Sequence, residues 1–305
     1  MIFNIPKDIK FSLFYKKLNI LSIMLIFFSV SFLLFKGLNF GVDFKGGTLI
    51  EVRVESSNIN IKDIRQSFLK MNLGDVTIKK FGQKNDYIVK IESKDSNNED
   101  FIKSINDELS SSLGADVNFR RVESVGPKVS SELLRDGLLA ISLSLAAMLF
   151  YIWIRFEWQF SLGAILALVH DVIITLGIFS LLSYEINLSI VAAILTIVGY
   201  SMNDTVVIFD RIRENLKKYS DIPINGLCDV SINETLSRTL ITSATTLLAL
   251  LSIFIFGGEI LKGFSFAMIV GVIIGTYSSI FVACPILTYT KVSQKTILKE
   301  DNEIN

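Results

Sequence analysis

The sequence predicts a polytopic α-helical membrane protein with six transmembrane helices and one α+β domain set between the first and second of them. Three observations predict it. Half of the residues are hydrophobic, more than the core of an ordinary soluble domain of this length requires. Six stretches run nearly uncharged for roughly 18 residues or more, the shorter ones borrowing flanking residues, enough at about 1.5 Å per residue to cross ~30 Å of hydrocarbon. Between the first two lie about ninety polar residues, too many for a connecting loop, so they must fold by themselves.

The six stretches are Ile20 to Phe35, Gly137 to Ile154, Phe160 to Leu182, Leu188 to Phe209, Arg238 to Phe256 and Phe264 to Tyr289. The first and fifth are short and borrow flanking residues. Lys7, Lys10, Lys16 and Lys17 precede the first run as in a signal peptide, but Phe35 to Asn39 offers no small-x-small cleavage site, which predicts an uncleaved span. Formal net charge is zero, yet its distribution is uneven. Basic residues gather before the first span, at Arg155, at Arg211, Arg213, Lys217, Lys218 and Arg238, and at Lys291, Lys295 and Lys299, whereas the loops Ser183 to Asn187 and Gly257 to Gly263 hold only Lys262. By the positive-inside rule both termini are cytoplasmic and the α+β domain is extracytoplasmic.

Within that domain, Thr48 to Glu55 alternates like a strand, and Ile61 to Met71 repeats apolar residues at helical spacing. Strands at Val76 to Phe81 and Tyr87 to Glu92 flank the turn Gly82 to Asp86, a helix spans Glu99 to Leu113 with Gly114 as its stop, and Asp116 to Val125 forms the last strand. The order βαββαβ is the ferredoxin-like, split β-α-β arrangement. With neither His nor Cys nor clustered carboxylates, the domain predicts binding or levering rather than catalysis.

The stretch "LNFGVDFKGGTLIEV" invites comparison with a phosphate cradle, since Lys45 is followed by Gly46 and Gly47. The loop lies outside, away from ATP, and no G-x-x-x-x-G-K-[ST] occurs in the chain. Gly46 and Gly47 instead predict an abrupt turn, a hinge matched on the return side by Gly126 and Pro127, with Asp43 and Lys45 at the membrane surface. Cys228 and Cys284 are expected to be reduced thiols; no metal or cofactor is implied.

Ionisable residues at bilayer depth are costly, about 2.5–3.5 kcal/mol on insertion scales, and imply a partner or a water-lined path. Asp204, in "VGYSMNDTVVIFDRIREN", lies roughly 9 Å up its helix from Asp210. Either it belongs to a helix–helix hydrogen-bond patch with Tyr200, Ser201, Asn203 and Thr205, or it takes and gives a proton under the control of a movable cation. Asp210, Arg211, Arg213 and Glu214 read as interfacial anchors. His170 and Asp171 sit in the middle of the third span, as a structural lock or a proton relay, facing directions about 100° apart and so serving different contacts. Arg238 is a positive-inside anchor and also the best available countercharge for Asp204. Thr239, Thr242, Ser243, Thr245 and Thr246 predict a wet or tightly packed side on that span, and Gly271 and Gly275 a close helix contact in the last. Neither a metalloprotease motif nor a nucleophile elbow is present, so no enzyme is expected.

From the first span to the sixth, the sequence resembles the SecF family, the smaller membrane subunits of bacterial SecD–SecF export complexes, related to resistance-nodulation-division transporters. Five motifs in order carry the resemblance: "FGVDFKGGTLIEV", "VESVGPKVSSEL", "VHDVIITLGIFSL", "VGYSMNDTVVIFDRIREN" and "NETLSRTLITSATTLLALLSIFIFGG". It implies a subunit in the bacterial cytoplasmic membrane, driven by the proton-motive force. Its implied partners are SecD, the SecYEG channel, a translocating polypeptide and membrane lipid, with no nucleic acid. The family's proton-transport aspartate and arginine fall on Asp204 and Arg238, and His170 and Asp171 match a further motif. The domain organisation expected is 1–38 for the N-terminus and first span, 39–132 for the extracytoplasmic domain, 133–290 for five spans and 291–305 for a cytoplasmic tail. A small-molecule exporter of the same superfamily and a non-transporting scaffold subunit are the rival readings.

Overall fold

The computed structural model describes residues 9–55, 59–80, 85–92, 99–219 and 222–294. Lys7, Lys295 and Lys299, Phe81 of the expected strand and residues 82–84 of the expected turn lie outside the described residues. A 3-10 turn Phe11–Phe14 leads into Tyr15–Phe35 (α1), followed by Asn39–Phe40 (β1), the one-turn helix Val42–Lys45 (α2) and Gly47–Val54 (β2). Ile61–Lys70 (α3), Val76–Lys80 (β3), Asp86–Ile91 (β4), Glu99–Leu113 (α4) and Val117–Val125 (β5) complete the α+β domain. Pro127–Arg155 (α5), Trp158–Leu182 (α6), Glu185–Ile186 (β6), Leu188–Lys218 (α7), Ile224–Phe256 (α8) and Gly258–Ser278 (α9) follow. A π-helical turn Ser279–Ala283 then joins α9 to Cys284–Tyr289 (α10).

The α+β domain has the order of strands and helices along the chain that was read from the sequence. Its sheet runs β3-β4-β2-β5 with every pair antiparallel, so β2 is central although first in sequence. Alternation sends Ile50, Val52 and Val54 of β2 and Val89 and Ile91 of β4 to one face, where Ile64 and Phe68 of α3 and Ile105 and Leu109 of α4 cover them. Each such side chain contributes about 1.5–3 kcal/mol by leaving water. Asn60 and Asp63 form a capping box that starts α3.

The two tethers of this domain meet. Gly46 and Gly47 have φ of +78° and +117°, and a methyl group on Gly47 would lie 2.5 Å from the Ile91 carbonyl oxygen. Glycine is therefore required where the chain turns from α2 into the sheet. On the return side Gly126 is extended and Pro127 opens α5, with Pro127 Cα 3.5 Å from where a Gly46 methyl group would stand. Gly47→Ala is expected to destabilise the domain by about 1–3 kcal/mol, seen as earlier proteolysis of the domain in the otherwise intact chain.

Six helical segments are long and apolar enough to cross a membrane: Phe11–Phe35, Pro127–Arg155, Trp158–Leu182, Leu188–Lys218, Ile224–Phe256 and Ile260–Tyr289. They outrun the uncharged stretches, most of all α8, which begins at Ile224 rather than Arg238. Hydropathy sees only the apolar part of a helix; the polar ends continue because they bond to one another. Asn215 of α7 donates to Ser231 of α8 at 2.9 Å and to Glu234 at 2.7 Å, and Arg211 pairs with Glu234 at 2.7 Å. The second helix likewise starts at Pro127, so residue 133 lies within α5.

Half of the most apolar window is buried in α6, in α7 and in the last span, against 11–17% in α1, α5 and α8, so the first three form the packed centre. Small residues let the helices approach. A methyl group on Gly177 of α6 would lie 2.3 Å from Ser29 Cβ of α1, and one on Gly271 of α9 would lie 2.3 Å from Ile197 of α7. Gly177→Val is accordingly expected to push α1 off the bundle and cost at least about 1–3 kcal/mol, measured as a lower melting temperature of the purified protein.

Candidate functional site

The polar core of the bundle is built where α6, α7 and α9 cross. His170 and Asp171 on α6 are both 1% exposed. The two touch rather than serving separate contacts, as their directions on the helix suggested: His170 Nδ1 lies 2.8 Å from Asp171 Oδ1. Both side chains have enough reach beyond Cβ to fold toward each other across the helix surface. Asp171 Oδ2 accepts from Ser201 of α7 at 2.5 Å and from Ser278 of α9 at 2.8 Å. One carboxyl group thus ties three helices together.

The glycines of α9 make this convergence possible. Ile197 and Ser201 lie four apart on α7 and face Gly271 and Gly275, also four apart; a methyl group on Gly275 would come within 2.9 Å of Ser201 Cβ. Ser278, one turn further, falls beside Ser201 on the same carboxylate. Directly after it the helix widens into the π turn Ser279–Ala283. Pro285 has no amide hydrogen to give to the Phe281 carbonyl, and this missing bond favours such an interruption, a local geometry common at functional positions.

The His170 ring stacks on Tyr277, with centroids 6.0 Å apart and planes 26° from parallel. The Tyr277 hydroxyl in turn donates to the Leu18 carbonyl at 2.8 Å and lies 2.8 Å from Ser22 Oγ, which joins α1 to the cluster. His170 Nε2 is buried with no partner among the described residues. When Nδ1 carries its hydrogen toward the carboxylate, Nε2 presents a lone pair.

Asp204 stands on α7 one turn beyond Ser201. It is 4% exposed, and its Oδ2 is buried without a hydrogen-bond partner among the described residues. Arg238 lies on the neighbouring α8 with an exposed side chain, and among the described residues no Asp204–Arg238 ion pair closer than 4.0 Å forms. Thr239 is buried with its hydroxyl unpartnered, Ser243 bonds Thr276 of α9 at 2.7 Å, and Thr246 accepts from Tyr200 of α7 at 3.4 Å, so the threonine-rich side of α8 is largely packed. Asp210, Arg211, Arg213 and Glu214 are paired: Arg155 with Asp210 at 2.8 Å, Arg211 with Glu214 at 2.7 Å, and Arg213 with buried Glu157 at 3.0 Å. The exposed pairs contribute about 0–1 kcal/mol each and serve to register the helix ends. Cys228 and Cys284 are buried free thiols.

Chemically the core holds two carboxyl groups in unlike settings. Asp171 is saturated with hydrogen bonds; Asp204 has an oxygen with none. His170 Nε2 and Asp204 Oδ2 are buried polar atoms of this core left without a hydrogen-bond partner among the described residues. Ser278 and Tyr277 escaped notice in the sequence. The row Gly271, Gly275, Ser278, spaced as one helix face, was the signal that could have found Ser278.

Six helices long and apolar enough to span a membrane, with an inserted α+β domain and carboxyl groups in the helical core, define a multi-pass membrane protein. Residues 105–293 match the family described as "Protein export membrane protein SecD/SecF, C-terminal", and residues 31–57, which hold Gly46 and Gly47, match "SecD/SecF GG Motif". The chain belongs to the SecF family. It is 45% identical over 267 residues to the protein translocase subunit SecF of Cereibacter sphaeroides, covering 85% of this chain and 82% of that one. To the SecF of Vibrio alginolyticus it is 45% identical over 278 residues, 91% of this chain and 88% of that one. Among solved structures it is similar to SecDF of Thermus thermophilus, described as translocon-associated, with a TM-score of 0.85 and 34% identity over 95% of this chain. It is also similar to SecDF in a super-membrane-facing form, with a TM-score of 0.71 and 32% identity over 99% of this chain. The chain spans 40% and 41% of the length of those two SecDF chains.

Proposed function

We propose that this chain is the smaller membrane subunit of a complex that uses the proton-motive force to assist polypeptide export across the bacterial cytoplasmic membrane. It acts with SecD and the SecYEG channel, with both termini cytoplasmic and the ferredoxin-like α+β domain extracytoplasmic. The observation that carries this reading is Asp204, a carboxyl group buried in the packed centre with an oxygen left unpartnered. A group so placed is costly unless its ionisation does work. Protonation of Asp204 weakens its attraction to Arg238, the spans shift, and the α+β domain swings on the hinge residues Gly46, Gly47, Gly126 and Pro127. Asp171 and His170 pass the proton beyond Asp204.

Sidedness is supported by the charges: Lys10, Lys16, Lys17, Arg155, Arg211, Arg213, Lys217 and Lys218 belong to one end of the bundle and the α+β domain to the other. The span of 40% of a SecDF chain supports half a pathway here, with the other half on a SecD partner. One proton crossing the membrane yields about 2.3 kcal/mol per 100 mV, enough to bias two states by over an order of magnitude. The first test is co-purification from membranes: a SecD-type partner and the channel are expected with the tagged chain, and their absence contradicts the proposal.

A second reading is favoured by the hydrogen bonds that saturate Asp171: the core charges are interhelical glue in a non-transporting scaffold. Neutral substitutions at Asp204 and Arg238 that lower the amount of complex and leave proton flux unchanged would support it. The transporting subunit predicts the reverse.

A further inference from the structure

The strand Asn39–Phe40 pairs in parallel with Glu185–Ile186, in the turn between α6 and α7, at a register of Asn39 with Glu185 and Phe40 with Ile186. A two-residue ladder is marginal by itself, so the side chains around it decide whether the contact holds. Two do so. Asp43 of α2 accepts through Oδ2 from the Leu188 amide, the first residue of α7, at 2.9 Å. Glu185 crosses the bare backbone of Gly41, where a methyl group would lie 2.5 Å from its Oε1, and pairs with Lys90 of β4. The Lys90 and Glu185 side chains are only 16% and 27% exposed, whereas Lys45 and Glu92, paired nearby at 3.5 Å, are half exposed. Lys90 lies opposite Leu49 of β2, so the pair holds the centre of the sheet.

We propose that this turn is the grip by which α7 moves the α+β domain, with Asp43 and Glu185 as its coupling residues; the proposal rests on the proton-driven reading above. Asp43 belongs to the short helix that ends at Gly46, directly before β2. Glu185 is the direct ion pair from the bundle onto the sheet. A displacement of α7, the helix that bears Asp204, is delivered to the domain at these two points, one at the tether and one at the sheet. Breaking either uncouples proton movement from the domain's stroke without touching the proton-carrying groups.

The test uses the full chain with its SecD-type partner in inverted membrane vesicles, at matched amounts of complex. Proton flux is followed by a pH-sensitive dye and output by completion of precursor export. Glu185→Lys is expected to lower gradient-dependent export about tenfold with proton flux retained. The exchange Lys90→Glu with Glu185→Lys restores export to within about twofold of wild type. Gly41→Ala, which displaces Glu185 and alters no charge, reproduces the defect of Glu185→Lys. Failure of the exchange to restore export, or normal export in both Gly41→Ala and Glu185→Lys, overturns the grip. Asp204→Asn separates the two claims: if it conducts and exports normally while the exchange still rescues, the grip stands and its proton drive falls.

Discussion

Asp204→Asn is expected to abolish gradient-dependent export while leaving the chain folded and at its normal level in the membrane. Asparagine matches aspartate in shape, so the packing around this buried side chain is kept, and the substitution removes a buried ionisable group that lacks a full set of partners. Stability is therefore unchanged or slightly raised. What is lost is the ability to exchange a proton and to feel Arg238. With the work of one proton gone, about 2.3 kcal/mol per 100 mV, the gradient-dependent part of the rate falls by at least about tenfold. The measurement is precursor export into vesicles with and without a proton gradient. Undiminished stimulation by the gradient contradicts the assignment.

Asp171→Ala is expected to give the largest loss of stability in the bundle. It leaves the Ser201 hydroxyl and the Nδ1 of His170 without this partner and takes from Ser278 its bond between helices, leaving it the Gly275 carbonyl of its own helix at 3.2 Å. Each stranded group costs about 1–3 kcal/mol, which together exceeds what a marginally stable fold tolerates easily. The amount of protein in the membrane should fall several-fold, and the purified protein should melt at a markedly lower temperature. Asp171→Asn keeps the volume and one acceptor and falls between. Ser278→Ala removes a single donor and costs about 0.5–1.5 kcal/mol, as expected of one hydrogen bond. Wild-type melting of Asp171→Ala would show that the three-helix tie is not what holds the centre together. The two aspartates differ in what their loss does to the fold: at position 204 work is impaired with the fold kept, and at position 171 stability falls in addition to interruption of the proposed relay.

Most of the architecture was legible because it depends on local periodicity. Ile61, Ile64 and Phe68 fix α3, alternation fixes β2 and β4, and the uncharged runs locate the six spans. Helix ends were harder: Ile224 to Ser237 of α8 are held by Asn215, Arg211 and their partners on α7, and hydropathy does not register such bonds. The pairing of β1 with β6 was hidden altogether, since two residues carry no pattern and their partner lies beyond the whole α+β domain and two spans. In the site, Asp171, His170 and Asp204 stood out because charge at bilayer depth is rare. That Asp171 and His170 bond each other, and that Ser278 joins them, depends on where α9 lies, which only the Gly271 and Gly275 row hinted at. Arg238 was singled out as the countercharge for Asp204; whether it closes on Asp204 is a matter of side-chain position, and in this structure it stays exposed.

The most direct test of the central claim is infrared difference spectroscopy on the assembled complex, following the protonated-carboxyl band through a cycle of imposed and dissipated proton gradient. The account predicts a band that appears and disappears with the gradient in the wild type and is missing from the difference spectrum of Asp204→Asn. A carboxyl band at Asp204 that stays constant throughout the cycle, whether always present or always absent, would contradict it.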